Sequence, residues 1–184
     1  MKTDNIERYL NSFANQVVKD SKSILKKDKG STDLGGSIRA KVEVEPNGFS
    51  VKFYMSDYGT FLDKGVSGNK KKRSFTNFKG KKESSPYSYK SKGPPIDILS
   101  KWIKKKGLKP KGTGRGRSKN TGQYISGLAY LISKKIKREG IKGLSFFQKP
   151  LGIEYSKLQD DFLKEFTKDV SLYITTFTKH KPKK

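Results

Sequence analysis

The side chains that could do chemistry in this 184-residue chain are mostly cationic. The sequence holds 42 Lys and Arg residues against 17 Asp and Glu residues, which gives a formal net charge of +25 at pH 7. Charge of this size attracts polyanions, and it describes partners and solubility rather than fold. Nineteen of the basic residues lie between Lys64 and Lys119, where only two acidic residues occur. The middle of the chain therefore predicts a surface that meets DNA or an acidic protein.

Two basic loops, at about 67–94 and 108–121, are predicted to carry this charge. The first is longer than a compact domain usually tolerates, which indicates either function or disorder. Contacts with a nucleic-acid backbone need only accessible Lys and Arg side chains and read no sequence. The residues expected to face DNA or a neighbouring subunit are Lys70, Lys71, Lys72, Arg73, Lys79, Lys81, Lys82, Arg115, Arg117 and Lys119.

Within the second loop, the segment GTGRGR at 112–117 invites comparison with a phosphate-binding loop. No strand is predicted before it, and no Lys-Ser or Lys-Thr pair closes it, as such a loop requires. We interpret the segment as a flexible basic loop that offers cations to a nucleic-acid backbone.

Aromatic residues alternate with the lysines of the first loop. They could stack on bases, as in proteins that bind single strands, or they could anchor the loop to a neighbouring surface. Stacking platforms normally lie on strands, so the loop position favours anchoring. The residues concerned are Phe75, Phe78, Tyr87 and Tyr89.

Side chains for catalysis are sparse. The chain has no cysteine, which excludes disulfides and thiolate metal sites, and its only histidine, His180, lies in a tail expected to be loose. The acidic residues are not spaced as metal ligands, and the adjacent Asp160 and Asp161 point in different directions on a helix. We predict no enzyme, no cofactor and no metal, with a carboxylate nuclease or recombination site left open as a minor alternative.

Periodic apolar residues predict the elements that present this basic surface. Residues 4–27 are predicted to form a helix, with Asp4 and Glu7 as a capping pair. Residues at about 37–55 alternate apolar and polar side chains around a Pro-Asn-Gly turn, which is typical of an antiparallel hairpin. The apolar stripe of the helix comprises Ile6, Tyr9, Leu10, Phe13, Ala14, Val17 and Ile24.

Three further helices are predicted in the second half of the chain. The first follows Pro95, with Trp102 facing inward, and the second spans about 121–139. The last begins near Glu154, and its β-branched residues at 171–177 leave a change to a strand open. The sequence thus predicts an α+β fold, in which three to four helices pack on a small antiparallel sheet with long basic loops.

Residues 1–184 are expected to form a single domain, with the two basic loops as insertions. Only 32% of the residues are hydrophobic, so the predicted core is thin. No apolar run approaches the length of a membrane span, and the first residues lack the apolar core of a signal peptide. We therefore expect a protein used in a cytosol or in a particle assembled there.

The stretch YGTFLDKGVSG at 58–68 links the hairpin to the first basic loop. It is too rich in glycine for a helix interior and too apolar for a free linker. We expect Phe61 and Leu62 to dock this turn in the core, while its glycines allow the backbone to reverse.

The order of these parts resembles that of the small neck and tail-completion proteins of tailed bacteriophages, the minor head–tail connector family. In that family an aromatic-glycine turn follows a strand, and a Phe-rich step precedes the last helix. GLSFFQKPL resembles the second motif through Phe146 and Phe147, although it departs from the usual form by continuing with Gln-Lys-Pro. YGTFLDKG resembles the first motif through Tyr58, Phe61, Leu62 and Gly65.

The resemblance implies a structural virion protein without enzymatic activity or cofactors, which forms a ring as a neck, connector or tail-terminator subunit around the DNA channel. The implied partners are copies of the chain, the adjoining portal and tail proteins and packaged DNA, with no membrane. Such a subunit is assembled in the host cytoplasm and lies in the neck or tail region of the virion. Its long basic loop would become ordered only against a neighbour. The residues alone leave open a free, sequence-independent nucleic-acid-binding protein.

Overall fold

The computed structural model describes residues 4–29, 33–45, 47–108, 115–117 and 124–179. These residues form helices and short strands, and the strands pair as β1–β2, β3–β8, β4–β5 and β6–β7. The predicted α+β class is confirmed. The helices are α1 (Asp4–Lys29), α2 (Asp33–Ser37), α3 (Gly59–Lys64), α4 (Ile96–Lys105), α5 (Gly127–Glu139) and α6 (Gln148–Lys179). The strands are β1 (Arg39–Glu45), β2 (Gly48–Tyr54), β3 (Val66–Ser67), β4 (Ser74–Thr76), β5 (Lys82–Ser84), β6 (Arg115–Arg117), β7 (Tyr124–Ser126) and β8 (Gly140–Ile141).

The described chain divides into two compact units. The first unit takes its described residues from Met1–Gly59, Thr76–Lys81 and Ser145–Lys184, and the second from Thr60–Phe75 and Lys82–Leu144. Counted over the sequence, the second unit holds 22 basic and 4 acidic residues, a net charge of +18, against +7 for the first. The single-domain expectation stays a prediction, but the charge belongs mostly to one unit.

In the first unit, α1 buries one face along its whole length. The predicted stripe is confirmed except in its last turn, where Leu25 is buried and Ile24 is half-exposed. The buried positions Phe13, Ala14 and Val17 form a cluster against which the hairpin packs.

The hairpin itself is confirmed. β1 and β2 are antiparallel, with Val42 opposite Val51 and Ala40 opposite Phe53. All four of these side chains pack against the α1 cluster, because alternate residues of a strand point to the same face.

α6 begins at Gln148, six residues before the predicted start, and remains helical to Lys179. The change to a strand that the sequence left open at 171–177 does not occur. Pro150 stands in the first turn, where a helix tolerates a missing N–H. Just before the helix, Phe146 is fully buried, and the Phe147 ring lies edge-on to Phe53 with 5.3 Å between centroids.

A buried carboxylate joins the two long helices. Asp169 of α6 is 3% exposed, and its Oδ2 accepts a hydrogen bond from the backbone N–H of Ile6 at 3.1 Å. Its Oδ1 accepts from the backbone N–H of Asn5 at 3.3 Å and from the Asn5 side-chain amide at 2.7 Å. The first N–H groups of a helix have no partner within it and lie at its positive end. The acceptor for these amides is thus Asp169 rather than the predicted local pair, Asp4 and Glu7.

In the second unit, α4 and α5 pack against each other. Ile103 and Ala129 are buried, and the Ser133 hydroxyl donates a hydrogen bond to the Pro94 carbonyl at 2.8 Å. The expectation that Trp102 faces inward is wrong, because this side chain is 44% exposed.

The segment before α5 is a strand rather than the predicted first turns of that helix. Tyr124–Ser126 forms β7, which pairs antiparallel with β6, with Gly116 opposite Ile125. The loop interpretation of 112–117 is therefore wrong for Arg115–Arg117, and residues 112–114 lie outside the described residues.

The turn at 58–68 also differs from the expectation. Gly59–Lys64 forms the short helix α3, in which Phe61 is 42% exposed and contacts the Tyr87 ring with 4.5 Å between centroids. Leu62 is half-buried, and its carbonyl accepts a hydrogen bond from the Leu144 N–H at 2.9 Å. Phe61 therefore packs against Tyr87 of the following basic segment, at the surface, instead of docking in the core.

The predicted loop at 67–94 is held by the chain's own backbone. The Ser67 N–H donates to the Tyr87 carbonyl at 2.7 Å, and the Tyr89 N–H donates back to the Ser67 carbonyl at 2.8 Å. Its aromatic residues pack within their own units. Phe75 is buried, the Phe78 ring lies 5.8 Å from that of Tyr155, and burial raises the pKa of Tyr89. Contacts within the chain itself therefore hold this segment, whereas contacts with a neighbouring subunit were expected to order it.

Replacing Asp169 tests the connection between the two helices. We expect Asp169→Ala to lower the free energy of unfolding by about 1–3 kcal/mol, because buried amides of α1 lose their acceptor. Denaturant unfolding measures the change. Asp160→Ala, at an exposed position of the same helix, is the matched control and is expected to stay within about 0.5 kcal/mol. Equal effects of the two variants would contradict the assigned role.

Candidate functional site

Two backbone segments of the second unit lie in direct contact. β3 and β8 pair antiparallel, with Val66 opposite Ile141 and Ser67 opposite Gly140. Gly140 has a φ of +73°, and a Cβ there would lie 2.1 Å from the Val66 carbonyl oxygen. A Cβ on Gly68 would lie 2.3 Å from the carbonyl oxygen of Arg138. Glycine is thus required at this crossing for both conformation and space.

The residues after β3 complete the carboxyl end of α5. The Asn69 N–H donates to the Lys137 carbonyl at 2.9 Å, and the Lys70 N–H donates to the Arg138 carbonyl at 3.0 Å. The Arg73 guanidinium donates through Nε to the Glu139 carbonyl at 2.7 Å. The last carbonyls of a helix lack partners within it and carry its negative end, so a cation is favourable there. Residues 69–73 are held in place by this end of α5.

An open cavity of about 580 Å³ lies beside this contact, and we call it the basic groove. One wall is formed by Asn69 and Lys70, and the other by the last turns of α5, where Leu131 is the apolar lining residue. Positions 134 and 138 share one helix face and lie about 6 Å apart along its axis. The charged groups of the groove are Lys70, Lys134, Lys135, Lys137, Arg138 and Glu139.

The single carboxylate of the groove is already engaged. Glu139 Oε1 accepts from Arg138 Nη2 at 2.8 Å. This hydrogen bond, followed by the positive charges of Lys135, Arg138 and Lys71, lowers the pKa of Glu139 against the opposing effect of desolvation. Glu139 is therefore ionised at neutral pH, and it offsets the charge of Arg138. Four lysines remain as the excess charge of the groove.

The structure brings only part of the predicted basic set to this place. Lys70 lines the groove, and Arg73 holds the end of α5. Lys71 and Lys72 are exposed on the segment between them, and Lys82 is exposed on β5.

The remaining predicted residues lie elsewhere. Lys79 and Lys81 are exposed in the first unit, with Lys79 Nζ 5.7 Å from the centroid of the Phe78 ring. Arg115 and Arg117 lie in β6, and their side chains are outside the described part of the structure. Lys119 also lies outside the described residues.

The cations of α5 are the functional candidates that the sequence interpretation missed. Lys134, Lys135, Lys137 and Arg138 occur in one KKIKR run. The run is visible in the sequence, but α5 was interpreted only as a packing helix. The predicted basic region was taken to end at Lys119, before this run begins.

Other kinds of site find no support within the described residues. This part of the chain holds no group of three or more His, Cys, Asp or Glu residues that could hold a metal ion. Among the same residues, no helix is both long and apolar enough to cross a bilayer. Comparisons with models of protein families, with curated proteins and with solved structures give no significant match to this chain. Its function must therefore be argued from its own residues.

Replacing each of two glycines that follow helices tests whether the two backbones beside the groove approach closely. We expect Gly140→Ala to lower the free energy of unfolding by about 2 kcal/mol more than Gly107→Ala does, because only the first variant places a Cβ against another backbone. Gly107 follows α4 with a φ of +64° and has open space around it. Gly107→Ala itself should cost about 1–2 kcal/mol through its backbone conformation. Denaturant unfolding of both variants makes the comparison, and equal losses would contradict the close approach.

Proposed function

We propose that the protein is a structural, ring-forming subunit of the head–tail connector of a tailed bacteriophage, at the neck or tail-terminator position around the DNA channel. The observation that carries this proposal is the exposed apolar surface at the carboxyl end of α6. Leu172, Tyr173 and Ile174 are 60%, 49% and 55% exposed. Earlier in the same helix, Leu163 and Phe166 are 54% and 42% exposed.

The length of α6 explains why this surface is uncovered. Asp169 contacts the first residues of α1, so the ten residues that follow it extend past the start of that helix. At 1.5 Å per residue this extension is about 15 Å long. Contiguous exposed apolar side chains on a helix mark a site of association.

Ring assembly accounts for this surface together with the thin core. In a closed ring with head-to-tail contacts, each subunit buries two different patches against its neighbours. Association then supplies part of the stability that a chain with 32% hydrophobic residues lacks on its own. The carboxyl end of α6 is proposed to contact a second copy of the chain.

The order of elements supports the same proposal. A long first helix leads into a hairpin, and the aromatic-glycine turn then forms α3. The Phe146-Phe147 step, with Phe146 fully buried, immediately precedes the last helix. We further propose that the adjoining portal and tail proteins and packaged DNA are the other partners, that the subunit resides in the virion, and that it has no catalytic role.

A sequence-independent nucleic-acid-binding protein is the second candidate function. The observation that favours it is the net charge of +18 in the second unit, together with the basic groove on that unit. Such a protein binds by contacts with the phosphate backbone and requires no ring.

Sedimentation velocity tests the proposed assembly. We expect the wild-type chain, of 20.8 kDa, to sediment as a closed oligomer. The double variant Leu172→Glu, Ile174→Glu should sediment as a monomer, because it places charges in the proposed contact.

The matched control is Ile98→Glu, which changes an exposed isoleucine of α4 and should leave the oligomer intact. A wild-type chain that stays monomeric at all accessible concentrations would exclude the ring. Equal dissociation by the control would mean that α6 is not the contact.

A further inference from the structure

We infer that the basic groove binds the phosphate backbone of DNA without reading its sequence. The inference rests on the DNA-contacting part of the proposed function, and it names the surface that makes the contact. It requires neither a ring nor any of the basic residues outside the described part of the chain.

The charge of the groove is suited to phosphate groups. Lys70, Lys134, Lys135 and Lys137 carry the excess positive charge, since Glu139 is engaged with Arg138. Lysine ammonium groups donate hydrogen bonds in three directions and contact phosphate oxygens without demanding one geometry. A row of such contacts releases the cations condensed on DNA, which is the main source of sequence-independent affinity.

The groove is also formed in advance. Its wall at 69–70 is fixed by two backbone hydrogen bonds to the end of α5. Gly140 allows the preceding residues, Val66 to Gly68, to lie directly against the chain that leaves α5. Binding therefore has to order lysine side chains but not the backbone that carries them, which lowers the entropic cost of association.

The composition of the groove favours a nucleic acid over an acidic protein. The buried centres of protein–protein interfaces are enriched in aromatic residues and depleted in lysine. Here lysine dominates, and Leu131 is the apolar residue that lines the groove. Protein–DNA interfaces are more polar and far more positively charged, as this groove is.

Sequence reading is not expected at this surface. Discrimination of guanine commonly uses a bidentate arginine. The guanidinium that lines the groove belongs to Arg138, which is paired with Glu139. Contacts by the lysines to phosphate fix position but carry no sequence information.

Fluorescence anisotropy with a labelled DNA duplex of arbitrary sequence tests the inference on the full chain. The groove variant is Lys134→Gln, Lys135→Gln, Lys137→Gln. We expect its affinity near 100 mM salt to fall about tenfold or more, and the slope of log K against log salt to become shallower by about 2–3. Circular dichroism and thermal unfolding of each variant establish that it is folded.

The matched control removes the same charge from the first unit. Lys19, Lys22 and Lys26 are exposed on α1, and their replacement by Gln should lower affinity by less than about twofold and leave the slope unchanged. In the opposite direction, Glu139→Gln should raise affinity about threefold or more, because it removes the only carboxylate of the groove. This variant keeps the backbone carbonyl that accepts from Arg73.

Three results would overturn the inference. The groove variant could retain wild-type affinity, or both triple variants could lose affinity equally, which would assign binding to overall charge. The groove could also bind polyglutamate and not DNA, which would assign it to an acidic protein. Failure of the ring proposal would be seen separately, because sedimentation measures assembly and anisotropy measures DNA binding. A monomer that binds DNA through the groove would exclude the ring and support this inference.

Discussion

The close approach of two backbones, at Val66–Gly68 and at Gly140, is the constraint on which the basic surface of the second unit depends. Side chains are excluded there, because a Cβ on Gly140 would lie 2.1 Å from a carbonyl oxygen. The chain can therefore run directly against the end of α5 and donate to its last carbonyls. One contact thus satisfies a helix end, orders the start of a lysine-rich segment and gathers cations from two distant parts of the sequence.

The two units differ in net charge and in how their charged side chains are paired. In the first unit the net charge is only +7, and a buried carboxylate, Asp169, joins two helices. The second unit carries a net +18, and its cations repel one another. Part of that repulsion is relieved internally, since Arg73 lies at the negative end of α5 and Glu139 pairs with Arg138. A polyanion in the groove would relieve more of it, so folding and binding favour the same arrangement.

Much of the fold could be predicted because its signals are local. The stripe of α1 and the alternation of the hairpin appear in consecutive residues, and both predictions are confirmed. The errors occur where distant contacts decide. Trp102 and Phe61 look like core residues by type, yet both are more than 40% exposed. The acceptor at the start of α1 is separated from it by more than 160 residues, so no local motif could indicate it.

The candidate site was harder to predict than the fold. Lys70 and Arg73 were identified from charge alone, but their meeting with α5 depends on glycines that allow two backbones to touch. The KKIKR run of α5 is visible in the sequence, but only the apolar stripe of that helix was interpreted and its cations were given no role. The extent of the basic surface therefore required the structure.

The central claim, that a single chain forms the groove before it meets any partner, is tested most directly by hydrogen exchange in the isolated protein. The amides of Asn69 and Lys70 donate to the end of α5, and they are predicted to exchange far more slowly than the same amides in an unfolded chain. Exchange of both amides at the unfolded rate, with protection appearing only after assembly or DNA is added, would contradict the claim.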